Sequence, residues 1–248
     1  MGLVETEAIV LRSYNLAEAD KIVVCLARST GLVRVVAHGA RRLKSRFGAG
    51  LEPFTHVQIS YYEKEGRDLA NLQQLEIMRS YFSLAENAEA VAALSYMSEL
   101  VLEFAPPHEP NERLFRMVCA TLSALKESPQ DLQAFVRYFE VWTLRLAGFL
   151  PDLRACADCG RGFADREGAF VNAEGRLRCV ACGQGGGATL SAEALAQLKS
   201  AQKLSPTDFA QRTRGTGVRT QAEVAEVTQR LIKRVLERAP RGAATFIN

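Results

Sequence analysis

Four of the six cysteines fall as two pairs, Cys156-x-x-Cys159 and Cys179-x-x-Cys182, with 19 residues between them. A Cys-x-x-Cys turn aims two thiolates at one point ~2.3 Å away, and two such turns complete a tetrahedron. The spacing lies in the range read as a zinc site. Four thiolates close the coordination sphere and leave no position for water, so the expectation is one structural Zn²⁺. Its binding energy would stabilise a Gly-rich segment with few apolar residues of its own. The alternatives are disulfides, an iron–sulfur cluster, or a thioredoxin-like pair, the last of which belongs beside a βαβ unit. Cys25 and Cys119 sit in apolar runs and read as small buried hydrophobes.

Catalytic chemistry is harder to find. His38, His56 and His108 are scattered, with no His-x-x-His or Glu-x-x-His spacing. No phosphate-cradling P-loop, dinucleotide fingerprint or Gly-x-Ser-x-Gly elbow is present. Glu18 and Asp20 form a close acidic pair that could hold Mg²⁺, but beside Lys21 they read as turn and surface residues. Nothing in the residues argues for turnover, so an enzyme is not expected.

Charge is more informative. Residues 1–82 hold 11 Lys+Arg against 9 Asp+Glu, residues 83–152 hold 5 against 10, residues 153–198 hold 5 against 5, and residues 199–248 hold 10 against 4. From Lys21 to Leu51 there are seven cations (Lys21, Arg28, Arg34, Arg41, Arg42, Lys44 and Arg46) and no acid. Basic ends around an acidic middle suit a polyanion on one surface and a protein partner elsewhere.

These residues need elements to hold them. Thr6–Leu11, Lys21–Ala27 and Leu32–Ala37 are short runs rich in Val and Ile, and the pattern resumes over Phe54–Tyr62 and Asp68–Leu75. Arg28-Ser29-Thr30-Gly31 has turn chemistry, with Gly31 free to take positive φ. Five strands with an excursion at Gly39–Pro53 is the order of an OB-fold β-barrel, though an SH3-like barrel would read much the same.

At Ser83 the period changes to that of helices. Ser83-x-x-Glu86 reads as a capping box opening a helix to Phe104. Asn111 opens a second, and Ser128-Pro129 a third carrying Phe135, Phe139, Trp142, Leu146 and Phe149 on one stripe. Ser191 and Ser205-Pro206 look like further helix starts, and Gln221–Arg238 like a final helix.

The expected fold class is therefore α+β and multidomain. An N-terminal OB-fold domain spans 1–82, and an α-helical domain spans 83–248 with a four-cysteine zinc-knuckle insertion at 153–188. The composition, 48% hydrophobic and 24% charged, is that of a globular protein. The longest charge-free run, Cys179 to Ala192, is broken by Gly183, Gly185, Gly186 and Gly187, so no membrane span is expected. Glu5 and Glu7 stand where a secretory signal would be basic and apolar. Six cysteines are too few for a disulfide scaffold of this length, which points to a reducing cytoplasmic compartment.

The N-terminal run resembles the RecO family of bacterial recombination mediators. It carries Glu7-Ala8-Ile9-Val10-Leu11-Arg12 and then Glu18-Ala19-Asp20-Lys21-Ile22-Val23. Gly31 follows, then Gly39-Ala40-Arg41-Arg42, Lys44-Ser45-Arg46-Phe47 and Leu51-Glu52-Pro53-Phe54. The likeness continues more loosely through the helical middle. It implies a non-enzymatic protein of DNA repair and recombination, cytoplasmic and nucleoid-associated. Such a protein binds single- and double-stranded DNA and anneals complementary strands without nucleotide hydrolysis. It also implies contact with single-strand-binding protein and, with RecR, help in placing RecA on coated DNA. No membrane or small-molecule substrate is implied. Some members lack the cysteines, which makes zinc a structural accessory.

The expected DNA contacts are Lys21, Arg34, Arg41, Arg42, Lys44 and Arg46, with flexible Gly39 and Gly48 letting the loop follow a phosphate backbone. Phe47, Tyr61 and Tyr62 are candidates for base stacking, at least one of them expected in the core. Arg212, Arg214 and Arg219 are possible additional contacts. Two rival readings are a metal-dependent nuclease or phosphoryl-transfer enzyme using Asp20 and Glu52, and a protein-only scaffold with a basic face.

Overall fold

The computed structural model describes residues 2–63, 66, 68–164, 167–183 and 187–241; Gly185 and Gly186 lie outside them. By contacts the chain divides into two compact units. One is Met1–Leu94 with Val101–Lys126, the other Ser95–Leu100 with Glu127–Asn248.

In the first unit the five expected strands form: β1 (Gly2–Leu16), β2 (Asp20–Ala27), β3 (Gly31–Ala37), β4 (His56–Glu63) and β5 (Leu69–Arg79). They close into a barrel in the order β1-β2-β3-β5-β4, with β1 pairing antiparallel to both β2 and β4. A register shift between Val10 and Arg12 lets this one long strand bend between its two partners. A short parallel ladder, Arg34↔Leu69 to Val36↔Asn71, closes the remaining seam. This is the OB-fold, and full closure removes open sheet edges. Its core is the alternating inward set Val23, Cys25, Val33, Val35, Val57, Ile59, Tyr61 and Leu72. Gly31 has φ +74°, and a Cβ there would overlap the Glu109 backbone carbonyl, so the β2–β3 turn requires glycine.

Helix α1 (Ala88–Phe104) contributes residues to both units. Its N-cap is not Ser83: residues Phe82–Glu86 form a 3₁₀ turn, and Asn87 caps α1 by accepting the Ala90 N–H. An asparagine in that place does the same chemistry as the expected serine, four residues later. Helix α2 (Glu112–Glu127) begins as expected, with Asn111 Oδ1 accepting the Leu114 N–H.

In the second unit, Pro129–Asp131 form a 3₁₀ turn before α3 (Leu132–Leu146). Phe149 does not continue the apolar stripe: Gly148 at φ +79° ends the helix, Phe149 N–H bonds back to the Leu144 carbonyl, and its ring is exposed. Ser191 and Ser205 cap α4 (Ala192–Ala201) and α5 (Pro206–Thr213), and α6 (Val218–Leu236) buries Val224, Val227, Leu231 and Ile232. The core also holds charge that the apolar stripes did not announce. Glu140 meets Arg137 at 2.8 Å and accepts hydrogen bonds from Tyr96 and Thr228. Burial pushes its carboxyl up from the ordinary range, while Arg137 opposes that rise. Among the described residues no helix is long and apolar enough to cross a membrane.

Candidate nucleic-acid interface and metal centre

The cysteine-bearing segment is tied together by three short strands, β6 (Ala169–Val171), β7 (Leu177–Arg178) and β8 (Ala188–Leu190), with β6 central. Each pair sits in a tight turn. In the first, Gly160 N–H bonds the Cys156 carbonyl at 2.9 Å; in the second, Cys182 and Gly183 N–H groups both reach the Cys179 carbonyl. Ala157 N–H to the Leu177 carbonyl and the Asp158–Arg178 ion pair join the turns.

The result is convergence. The four Sγ atoms lie within 4.8 Å of one another, and Cys159 and Cys179 are 3.9 Å apart. A tetrahedron with Zn–S bonds of ~2.3 Å has edges of ~3.8 Å. Burial would raise the Cys156 thiol, but N–H groups of Cys159, Cys179 and Asp158 outweigh it and bring it down to about 6. Cys182, facing Cys179 and Cys159, is pushed up to about 12. Four thiolates crowded together repel, and a soft dication is what relieves them. The donor set fits a metal ion. Cys25, buried in the barrel, has its thiol pushed up to about 12 by burial and takes no part.

The cationic loop follows β3. Asp20, at the start of β2, accepts the Gly39 N–H at 2.8 Å through Oδ1, and its Oδ2 lies 2.7 Å from His38 Nδ1. These bonds hold the Asp20 carboxyl below its usual range. Gly39, at φ +72°, turns the chain here. Arg41 N–H then bonds the Ala19 carbonyl, its guanidinium reaches the Ala17 carbonyl at 2.8 Å, and Ser45 N–H closes a turn onto Arg42. Phe47 and Leu51 drop back into the barrel core. The loop is thus bound at both ends, where glycine content alone suggested flexibility.

Between those ends Arg41, Arg42, Lys44 and Arg46 are all exposed, and Arg34 points outward between buried Val33 and Val35. Arg46 lies 4.9 Å over the Phe47 ring. Lys21 opposes Ala37 at the loop's base and lies 3.8 Å from Glu52. Beside the loop a hollow of about 450 Å³ is bordered by Arg46, Gln58, Gln74 and, less favourably for an anion, Glu5 and Glu76.

Other expectations divide. Phe47 and Tyr61 are core residues and unavailable for stacking, whereas Tyr62 keeps 37% exposure. Arg28, one of the seven cations, is committed elsewhere, to Glu7 and Glu112 at 2.7 Å each. Sequence spacing carries no signal for this clamp, whose partners are 21 and 84 residues away. In the second unit, Arg214 makes a two-pronged contact with Asp131, Arg219 pairs with Glu223, and Arg212 is exposed. Asp20 and Glu52 already have partners, and among the described residues the cysteines are the one group of three or more candidate ligands that converges.

The chain thus combines a closed five-stranded OB barrel carrying a cationic loop with a helical part into which a four-cysteine cluster on short strands and turns is inserted. The chain belongs to the recombination protein O family of DNA repair proteins. The family's N-terminal domain matches residues 1–81 and its C-terminal domain residues 85–243. Among its relatives, the DNA repair protein RecO of Symbiobacterium thermophilum is 33% identical over 97% of this chain and 94% of its own. That of Koribacter versatilis is 38% identical over 66% of both chains, and that of Anaeromyxobacter sp. strain K 35% over 75% and 72%.

Proposed function

We propose that the chain is a non-enzymatic recombination mediator. It binds single- and double-stranded DNA, anneals complementary strands without a nucleotide, and acts with RecR to load RecA on DNA coated by single-strand-binding protein. The observation that carries this reading is the loop: four exposed cations in six residues on a turn fixed to an OB barrel, within a stretch that has no acid. Two phosphate backbones repel, and a surface that neutralises both lets base pairing supply the free energy.

Residues 1–82 would be the DNA-binding domain, with Lys21, Arg34, Arg41, Arg42, Lys44 and Arg46 as contacts. Lys21 contributes less, since Glu52 already screens it. Of the additional candidates Arg212 is the most available, because Arg214 and Arg219 are engaged by carboxylates. The helical domain, 83–248, would carry protein contacts. Its inserted knuckle, 153–188, would hold one structural Zn²⁺ through Cys156, Cys159, Cys179 and Cys182. A cytoplasmic, nucleoid-associated location follows from such a role.

The experiment is annealing of complementary oligonucleotides, followed by fluorescence without nucleotide. The wild-type protein should accelerate pairing, and an Arg41/Arg42/Lys44/Arg46 charge reversal should not. Equal acceleration by both, or Mg²⁺-dependent cleavage lost in Asp20→Asn, would replace the proposal.

A further inference from the structure

At the tip of the cationic loop stands Leu43. Its relative exposure is 107%, the highest among the large hydrophobic residues described, so the side chain touches almost nothing. Single exposed apolar residues are ordinary on protein surfaces. This one differs in how it is held and in what surrounds it.

The backbone on either side is hydrogen-bonded: Arg42 N–H to the Gly39 carbonyl at 3.1 Å and Ser45 N–H to the Arg42 carbonyl at 3.0 Å. Asp20 and Ala19 hold the near end, and buried Phe47 holds the far end. The loop therefore keeps Leu43 out in solvent, where it would otherwise fold back onto apolar surface. Its neighbours are Arg41 and Arg42 on one side and Lys44 and Arg46 on the other, all exposed.

An apolar tip between cations is the pattern of a wedge. The cations seat on phosphates of one strand, and the apolar side chain enters between the bases those phosphates flank. We infer that Leu43 inserts between neighbouring bases and unstacks them, making the loop a strand-opening device and not merely a charge screen. This rests on the DNA-binding reading above. It gives the loop a sequence-tolerant grip, since every base presents an apolar face. It also prepares strands for annealing by breaking intrastrand stacking.

The test uses the full chain and a single strand with one 2-aminopurine in a run of adenines, whose fluorescence is quenched by stacking. Binding is followed separately by anisotropy. Wild-type protein at saturation should raise the fluorescence about twofold or more, as unstacking of the probe requires. Leu43→Ala should bind several-fold more weakly, having lost the inserted side chain but kept its cations, and even at saturation should give no rise. Leu43→Met should restore the rise. Because the side chain projects into solvent, these variants leave the barrel core unaltered.

A full fluorescence rise with Leu43→Ala overturns the wedge and leaves DNA binding standing. A wild-type protein that binds the strand without any rise does the same. A wild-type protein that does not bind overturns the DNA reading and the wedge together. If Leu43→Ala leaves the rise intact but weakens sedimentation with phosphatidylglycerol vesicles, the tip is a membrane contact and the wedge is wrong.

Discussion

Asp20 accepts the Gly39 N–H at 2.8 Å, so this acid works as an anchor of the cationic loop. A side chain whose type suggests metal binding is instead used to set the start of a turn. The cations beyond Gly39 consequently project from a fixed base, which reduces the ordering cost of meeting a polyanion.

Asp20→Ala should speed amide hydrogen exchange at Gly39, Arg41 and Arg42. It should also weaken DNA binding severalfold, with an unchanged salt slope, because no cation is removed. The pH dependence has a definite sign. Asp20 is held below its unfolded value, so its anchoring contribution is fully present above the ordinary carboxylate range of ~3.9 and is lost as pH falls through the depressed value. In a His38→Gln background, which removes the neighbouring imidazole from Asp20, the Gly39 amide resonance should shift in that acid window. A shift centred near neutral pH would assign the anchor to another group.

Gly31→Ala should destabilise the barrel by ~2 kcal/mol or more, measured by denaturant unfolding. The left-handed backbone alone costs a non-glycine residue ~1–2 kcal/mol, and the Glu109 carbonyl adds a steric conflict. A neutral effect would show that the β2–β3 turn relaxes freely.

Glu140→Ala should cost about 3–5 kcal/mol, because it removes the carboxylate that balances the buried Arg137 guanidinium in the helical core. Glu140→Gln keeps the side-chain volume and one acceptor oxygen, enough for either Tyr96 or Thr228 but not both, and should cost less. Thermal unfolding of the two variants ranks the losses, since Glu140→Gln removes the charge and one acceptor while Glu140→Ala removes the whole group.

Elemental analysis should find about one zinc per chain, released by chelators and absent in Cys156→Ser/Cys159→Ser. Retention should weaken as pH falls, because protons compete with the metal for the thiolates. Zinc-free protein with an unchanged thermal transition in the helical unit would show that the knuckle folds on its own hydrogen bonds.

What was legible in the sequence follows the reach of each signal. The five strands, the helix caps at Asn111, Ser191 and Ser205 and the thiolate cluster were readable because each depends on residues close in the chain. Barrel closure through the parallel Arg34↔Leu69 ladder depends on residues 35 apart and leaves no local mark. The same distance problem hid the Arg28–Glu112 clamp and the Arg214–Asp131 pair, so cations that look equivalent in the sequence are not equivalent in the fold. Phe47 and Tyr61 show the complementary difficulty: an aromatic ring that could stack on a base could as well fill a barrel.

The most direct measurement is the salt dependence of affinity for a single strand. With ~5 phosphates neutralised, log K against log salt should fall with a slope of about −3.5. Reversing Arg41, Arg42, Lys44 and Arg46 should flatten that line or abolish binding. Affinity that does not respond to salt, or a slope unchanged by the reversal, would contradict the account.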